Sequence, residues 1–278
     1  MVLALGCALA YGLSDFIGGI LARRISAWTV AVVAQSVATV LTLGLALATG
    51  GDPTGADWAW SALAGVGSGA GAGFLYRGLA AATMTVVAPV SALLAALLPV
   101  LVGVLTGDRP STVTWVGVAI ALPAIWLVSQ VHEDIDPDRQ QAHRGGLVDG
   151  VLAGLGFGVL FAALGQVPAD AGFGPLALTQ AMAVLATVAL AVALWAAWVP
   201  RDRTALRATG IGVLGMGATV LFLLATQTGL LTVAAVLSSL YPATTVLLAA
   251  AVLCERIERV QGVGLALAGL AVALVAAG

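Results

Sequence analysis

Two ionisable residues, Asp15 and Arg77, lie well inside long apolar stretches of the sequence. Inside a membrane an isolated charge costs at least about 2.5–3.5 kcal/mol, so such residues usually face a helix bundle and serve its function. The sequence predicts that the two pair, either as a clamp between helices or as a relay for substrate and protons. Asp149, in the first turn of a later stretch, is predicted to be structural because a helix N-terminus favours a carboxylate.

Neutral polar side chains within the same apolar stretches could line a cavity that holds a small molecule by hydrogen bonds. Besides Asp15 and Arg77, the candidates for substrate binding or coupling are Tyr11, Tyr76, Ser91, Gln227, Ser238 and Tyr241. Further polar residues that could reach the same cavity are Gln35, Gln180, Thr226 and Ser239. Each could equally hydrogen-bond a neighbouring helix, since such bonds help to hold apolar helices together.

Three prolines inside apolar stretches, Pro89, Pro99 and Pro242, are predicted to act as hinges or kinks. Proline donates no N–H, and its ring clashes with the carbonyl four residues before it. At membrane depth, the freed backbone is tolerated only where protein or a water-filled cavity satisfies it. The stretch around Pro242 therefore either lines a cavity or is kinked only for packing, and the sequence leaves both interpretations open.

The composition predicts that these stretches are membrane-spanning helices. Hydrophobic residues make up 61% of the chain and charged residues 9%, with a mean hydropathy of +1.09, whereas a soluble domain carries roughly 25% charged residues. The apolar runs are continuous over about 20 residues, which is typical of helices and not of barrel strands. Ten spans are predicted: 2–21, 28–49, 58–81, 84–106, 111–130, 146–164, 174–198, 206–229, 231–253 and 257–277.

The same composition also limits the kinds of ligand and partner that we expect for this protein. A net charge of −2 argues against nucleic acid as a partner. Cys7 and Cys254 lie in or beside apolar segments, so neither a disulfide framework nor a metal site is expected. We therefore expect no cofactor and no metal. The expected partners are the lipid bilayer, a small-molecule substrate and a coupling proton, with the protein a monomer or a homodimer.

An internal duplication divides the chain. A constant offset aligns Thr85-Val86 with Thr232-Val233, Ser91 with Ser238, and Asp108-Arg109 with Glu255-Arg256. This predicts a five-helix repeat at 1–130, a polar linker at 131–145 and a second five-helix repeat at 146–278. Because five is an odd number, the second repeat enters the membrane in the opposite orientation, an arrangement that recurs in transporters with a site near the midplane.

The distribution of arginines between the loops predicts the orientation of the chain in the membrane. One side holds nine arginines, and the other, which includes both termini, holds Arg109 alone. Cytoplasmic loops carry the excess of basic residues, so the linker 131–145 is predicted to be cytoplasmic and both termini outside. The expected location is the cytoplasmic membrane of a bacterium.

Short motifs carry a resemblance to a known family. They are Gly107-Asp108-Arg109-Pro110 and Cys254-Glu255-Arg256 after the fourth span of each repeat, Tyr11-Gly12, Ser14-Asp15-Phe16-Ile17-Gly18-Gly19, Tyr76-Arg77 and Pro89. With two five-span repeats, the chain resembles the EamA family of the drug/metabolite transporter superfamily. The resemblance implies a secondary transporter without an ATP site, often an exporter of amino acids or other small metabolites. It also implies cytoplasmic termini, whereas the arginine count predicts the reverse.

The leading prediction is a secondary active transporter, an exporter or exchanger of a small metabolite such as an amino acid or a drug-like solute, with alternating access around a cavity between the repeats. A sensor or scaffold that transports nothing is the alternative from another class. An intramembrane protease would need a serine–histidine dyad or two opposed aspartates. Only Asp15 lies deep in a span, and both histidines, His132 and His143, fall in the linker, so no enzymatic activity is expected.

Overall fold

The computed structural model describes residues 1–81, 84–128, 137–252 and 259–277, and within these ranges every regular element is helical. The α-helices are α1 Val2–Ala22, α2 Ala27–Thr49, α3 Gly55–Ala81, α4 Met84–Thr106, α5 Thr112–Val128, α6 Pro137–Leu164, α7 Gly174–Ala193, α8 Ala208–Gln227, α9 Leu231–Ser238, α10 Tyr241–Val252 and α11 Arg259–Ala277. Short 3₁₀ turns occupy Ala169–Ala171 and Arg203–Arg207. The predicted all-α fold class is confirmed for the described residues.

The outside of the helix bundle is apolar. Large hydrophobic side chains stand almost fully exposed on it, for example Val2, Leu47 and Leu105. A soluble protein rarely exposes apolar patches of this extent. Four described helical segments are long and apolar enough to cross a membrane: Val2–Ala22, Ala27–Thr49, Gly174–Ala193 and Arg203–Gln227. Lipid is therefore the natural environment of this surface.

Helices pack mainly across the two halves of the chain and less within each half. The main contacts join α1 to α8, α3 to α6, α2 to α8, α3 to α7, α4 to α6, α4 to α9, α1 to α9 and α10, α2 to α7, and α5 to α11. Asp108, in the turn after α4, adds a polar contact, since its Oδ2 accepts a hydrogen bond of 2.7 Å from the backbone N–H of Thr232. This N–H belongs to the first turn of α9, where no helical carbonyl can reach it and a carboxylate is favoured.

Two rows of glycine let α3 approach two helices closely. A Cβ atom on Gly65 would lie 2.5 Å from the Thr179 carbonyl oxygen of α7, and one on Gly67 would lie 2.5 Å from the Gly156 carbonyl oxygen of α6. Small residues at this spacing allow backbone-to-backbone packing in lipid, where no hydrophobic force draws helices together. Helix α3 therefore packs closely against both α6 and α7.

The predicted ninth span is broken rather than merely kinked. Helix α9 ends at Ser238 and α10 begins at Tyr241, which makes Pro242 the second residue of a new helix. The backbone N–H of Leu240 donates to Leu237 O at 3.3 Å, a tight turn that ends α9. Because a proline near a helix N-terminus lacks an N–H that would be unpaired anyway, α10 accommodates it at low cost.

Two other expectations concern local helix geometry. Helix α4 runs without interruption through Pro89 and Pro99, so their role as hinges stays a prediction. Helix α6 begins at Pro137, inside the predicted linker 131–145, and much of that linker is therefore helical. Proline is common at the first position of a helix, which fits this start. Residues 131–136 lie outside the described residues.

Candidate functional site

A small cavity lies between α1, α2, α3, α6, α7 and α8. Its volume is about 60 Å³, which is room for a few water molecules and far below the roughly 300–1,000 Å³ of a typical ligand pocket. The polar side chains that line it are Tyr11, Ser14, Asp15, Gln35, Ser68, Tyr76, Gln180 and Thr219. In this state the space between the helices is therefore too small for a solute of metabolite size.

Asp15 is the one carboxyl group among the described residues that line the cavity. It sits on α1 and is buried, with 8% of its surface exposed. Across the described ranges, no hydrogen bond or ion pair to this carboxylate is found. A carboxylate in an apolar bundle is costly unless it is paired or protonated, so its position calls for a proton, an ion or a solute from outside the chain.

All three tyrosines of the chain, Tyr11, Tyr76 and Tyr241, gather around Asp15. Tyr11 and Tyr76 line the cavity together with Asp15, and the backbone of Tyr241 lies against α1 at Gly12. The Tyr241 hydroxyl is hydrogen-bonded to Ser91 Oγ at 3.3 Å. The Tyr11 hydroxyl is buried and has no hydrogen-bond partner among the described residues. One polar atom at the cavity wall is therefore left for a bound molecule or water.

Two glycines of α1 make room for this cluster. A Cβ atom on Gly18 would lie 2.5 Å from Cε1 of Tyr76. One on Gly12 would lie 2.7 Å from the carbonyl oxygen of Tyr241, at the start of α10. The Tyr76 ring and the α9–α10 break thus rest directly on the backbone of the helix that carries Asp15.

The two glutamines of the cavity wall are engaged with neighbouring helices. Gln35 donates from Nε2 to Ser68 O at 3.3 Å and accepts from Thr187 Oγ1 at 2.7 Å. Gln180 donates from Nε2 to Thr219 Oγ1 at 2.9 Å. These bonds join α2, α3 and α7 to one another and α7 to α8. Ser68 and Thr219 were not expected from the sequence, because a short hydroxyl side chain in an apolar span leaves no signal in the pattern.

The predicted pairing of Asp15 with Arg77 is wrong: Arg77 pairs with Asp149 of α6. Its Nε lies 3.0 Å from Asp149 Oδ1 and 3.1 Å from Oδ2, and its guanidinium stacks over the Phe74 ring with Cζ 4.7 Å from the centroid. Consecutive residues of a helix point about 100° apart. Tyr76 therefore turns towards α1 while Arg77 turns towards α6.

Four other predicted site residues lie outside the cavity lining, and one of them is Tyr241, which lies near the cluster at the start of α10. Gln227, at the end of α8, donates to Pro168 O at 3.3 Å in an exposed position. Ser238 lies 3.5 Å from the carbonyl oxygen of Ala4, within weak hydrogen-bond range. Ser91 touches the site only through its bond with Tyr241. The structure thus brings Asp15, Tyr11 and Tyr76 together at the cavity and leaves Arg77, Gln227, Ser238 and Ser91 apart from it.

The Arg77–Asp149 pair leads to a first prediction. Arg77→Gln and Asp149→Asn are each expected to lower the free energy of unfolding by about 1–3 kcal/mol, because each leaves a charged hydrogen-bonding partner unsatisfied. The double variant should lose less than the two single losses together, since no charge is left unpaired. Thermal or denaturant unfolding of the purified variants measures the coupling. As a control, Arg77→Gln combined with Asp15→Asn should be additive, and coupling in that combination would restore the Asp15–Arg77 pairing.

These features define a class: a helical integral membrane protein with a small cavity between its helices that several polar side chains line. The family model for the EamA-like transporter family matches residues 1–130 and 144–277. The chain therefore belongs to the EamA-like transporter family, which confirms the resemblance found in its motifs and makes it a member of a transporter family rather than of an enzyme family.

A solved crystal structure shares the fold. It is similar over 98% of this chain and 94% of the other, with a TM-score of 0.70 at 17% sequence identity. At this identity, the similarity concerns the fold alone. No curated protein matches the chain at a significant level.

Proposed function

We propose that this protein is a secondary active transporter that moves a small solute across the membrane, as an exporter or exchanger, by exposing its central cavity to the two sides in turn. The observation that carries the proposal is the small cavity between the helices with Asp15 in its wall. An interior carboxylate with no partner among the described residues has no evident structural use, and intramembrane charges of this kind commonly bind substrates or coupling ions. Asp15 can also take up and release a proton, which makes it the candidate for coupling.

We propose further that the chain forms ten spans in two inverted repeats. The helix contacts support this. Helices α1, α2, α3 and α5 correspond to α6, α7, α8 and α11, and α4 corresponds to the pair α9 and α10. When corresponding helices are exchanged, the main contacts map onto one another. The contact of α1 with α8 becomes that of α6 with α3, and the contact of α2 with α8 becomes that of α7 with α3. Such a pairing is what two repeats related by a pseudo-two-fold axis produce, and an odd number of spans in each repeat would invert the second one.

The small volume of the cavity also supports a transport mechanism in which helices move apart to admit the solute. A solute of metabolite size needs several times the 60 Å³ present in this state, so helices must separate to admit it. The α9–α10 break lies against α1 at Gly12, next to the tyrosine cluster. We propose that Pro242 marks the hinge there and that Pro89 and Pro99 serve the same purpose in α4.

Two glycines of α8 provide the experiment. Gly215 lines the cavity and Gly217 does not, yet a Cβ atom at either position meets nothing within 4 Å. Gly215→Leu should fill the cavity and reduce solute flux to the background of protein-free liposomes, while Gly217→Leu should transport like the wild type. The measurement is uptake into proteoliposomes of labelled solutes that span the candidate classes: an amine, a quaternary ammonium, an amino acid, a nucleoside and a sugar.

The flux experiment separates the competing functions. Movement of a solute without chemical change marks a transporter, and conversion of the solute marks an enzyme. The proposal is contradicted if the wild type moves none of the solutes, or if Gly215→Leu and Gly217→Leu transport equally. Either result would favour the alternative of a sensor or scaffold. Chromatographic profiles of both variants control for folding.

Topology gives a separate prediction. From the arginine asymmetry, the linker 131–145 is expected in the cytoplasm and both termini outside. A reporter active only in the cytoplasm should stay silent when fused after the last residue and should be active when inserted in the linker. The opposite pair of signals would invert the orientation and, with it, the direction of transport, while leaving the helix count unaffected.

A further inference from the structure

The charges around the cavity are unbalanced. Among the described residues that line it, Asp15 is the single ionisable group other than tyrosine, and no arginine, lysine or histidine is present. Arg77, which follows the lining residue Tyr76 in the chain, is held by both oxygens of Asp149 on the far side of α3. The cavity therefore carries a carboxyl group that the described part of the chain does not neutralise.

Aromatic rings complete the wall around this carboxyl group. Tyr11, Tyr76 and Phe157 line the cavity from α1, α3 and α6. The Phe157 ring is fixed against α3, because a Cβ atom on Gly71 would lie 2.7 Å from its Cδ1. A cation over an aromatic face is attracted by the ring, and the attraction grows when water is excluded. Three rings beside one carboxylate are suited to a positively charged group.

Other classes of solute fit this wall less well. An anion would meet the charge of Asp15 without a basic group to offset it. With a neutral solute, Asp15 could lose its charge only by taking up a proton, and the solute would gain no ion pair from it. An amino acid could place its ammonium group at Asp15, but its own carboxylate would find only hydroxyl and amide donors, and the amides of Gln35 and Gln180 are already engaged.

We infer that the substrate is an organic cation, an amine or a quaternary ammonium compound without an acidic group, with Asp15 as its counter-ion and Tyr11, Tyr76 and Phe157 around it. The inference rests on the proposed function, since it names the substrate class of the same cavity. It narrows the broad expectation of amino acids and drug-like solutes to those that carry a net positive charge.

The test compares solutes that differ in charge but not in shape. The thermal stability of the purified wild-type protein is measured with methylammonium, tetramethylammonium, choline and benzyltrimethylammonium. Choline is paired with 3,3-dimethylbutan-1-ol, its neutral isostere, and with 3,3-dimethylbutanoate as the anion. A ligand that binds the folded state alone raises its stability. At least one cation should stabilise the protein in a saturable manner, and titration calorimetry should give it about tenfold or higher affinity than its neutral counterpart.

Three variants tie this selectivity to Asp15. Asp15→Asn should weaken cation binding by about ten- to hundredfold and leave the neutral counterpart almost unaffected. Asp15→Glu, which keeps the charge, should retain the preference for the cation. Asp170→Asn removes one negative charge at an exposed position away from the cavity and should bind cations like the wild type, which controls for net charge.

The outcomes separate this inference from the proposed function. Cation binding without any solute flux would support the inference and contradict transport. Flux of a neutral or anionic solute that Asp15→Asn leaves intact would support transport and overturn the inference. Failure of every cation to stabilise the wild type, or equal affinity for choline and its neutral isostere with no other cation preferred, would also overturn it.

Discussion

Asp15→Asn is expected to abolish solute flux and to leave the folded protein at least as stable as the wild type. Stability should hold because asparagine fills nearly the same volume and removes a buried carboxyl group that has no partner among the described residues. A polar group retained at such a cost usually serves function, and its replacement by a neutral side chain then trades activity for stability. The measurements are flux in proteoliposomes and the midpoint of thermal unfolding, with the same protein content in each sample.

The pH dependence of flux tests whether Asp15 also carries the coupling proton. The other titratable groups that face it are Tyr11 on α1, Tyr76 on α3 and Tyr241 on α10, and the described lining contributed by α2, α6, α7 and α8 adds none. If Asp15 couples transport to protons, wild-type flux should change with pH and Asp15→Glu should keep a pH-dependent flux with a displaced profile. Wild-type and Asp15→Asn curves that coincide would rule out both the binding and the coupling role.

Gly156→Ala should cause a large loss of folded protein, because the atoms closest to the added methyl group would all be backbone atoms. Its Cβ atom would lie 2.5 Å from the backbone nitrogen of Gly71 and 2.7 Å from the carbonyl oxygen of Gly67. Backbone atoms cannot rotate away as side chains do, so α3 and α6 must separate. Overpacking of this kind costs about 1–3 kcal/mol and sometimes more. We expect about 3 kcal/mol, with leucine at the same position preventing accumulation of folded protein.

Gly44→Ala and Gly217→Ala are the matched controls, because a Cβ atom at either helical position meets nothing within 4 Å. Alanine is the better helix former by about 1 kcal/mol, so both controls should be neutral or slightly stabilising. Unfolding midpoints and gel-filtration profiles of the three variants measure whether Gly156→Ala destabilises the protein more than its controls do. If Gly156→Ala matched its controls, the close approach of α3 and α6 would be in error, and with it the placement of Phe157 and Asp149.

The helices could be predicted because hydropathy is a property of short stretches. The predicted span 84–106 coincides with α4, and 2–21 differs from α1 by one residue. Where the sequence was less informative, the structure depends on contacts between distant residues, or the stretch has a polarity that helices and loops share. The break between Ser238 and Tyr241 depends on how α9 and α10 rest on α1, and the helical start at Pro137 lies in a stretch whose polarity resembles that of a loop.

Among the residues around the cavity, some could be identified from the sequence and others only from the structure. Asp15, Tyr11 and Tyr76 could be singled out because a polar group in an apolar run is visible without knowledge of its neighbours. The partner of Arg77 could not, because matching depth in the membrane is compatible with either carboxylate. Only the rotation of α3 about its axis turns Arg77 to Asp149.

The sequence by itself determined the helical class, the duplication, the membership of the EamA-like family and the presence of a carboxyl group inside the bundle. Each of these follows from composition, from hydropathy along one segment or from similarity between segments. The tertiary structure decided which side chains share the cavity, that Asp15 has no cation beside it in the described part of the chain, and that the space is too small for a metabolite. Those features depend on helix rotation and on contacts between residues far apart in the chain, such as Gln35 and Thr187, which are 152 positions apart.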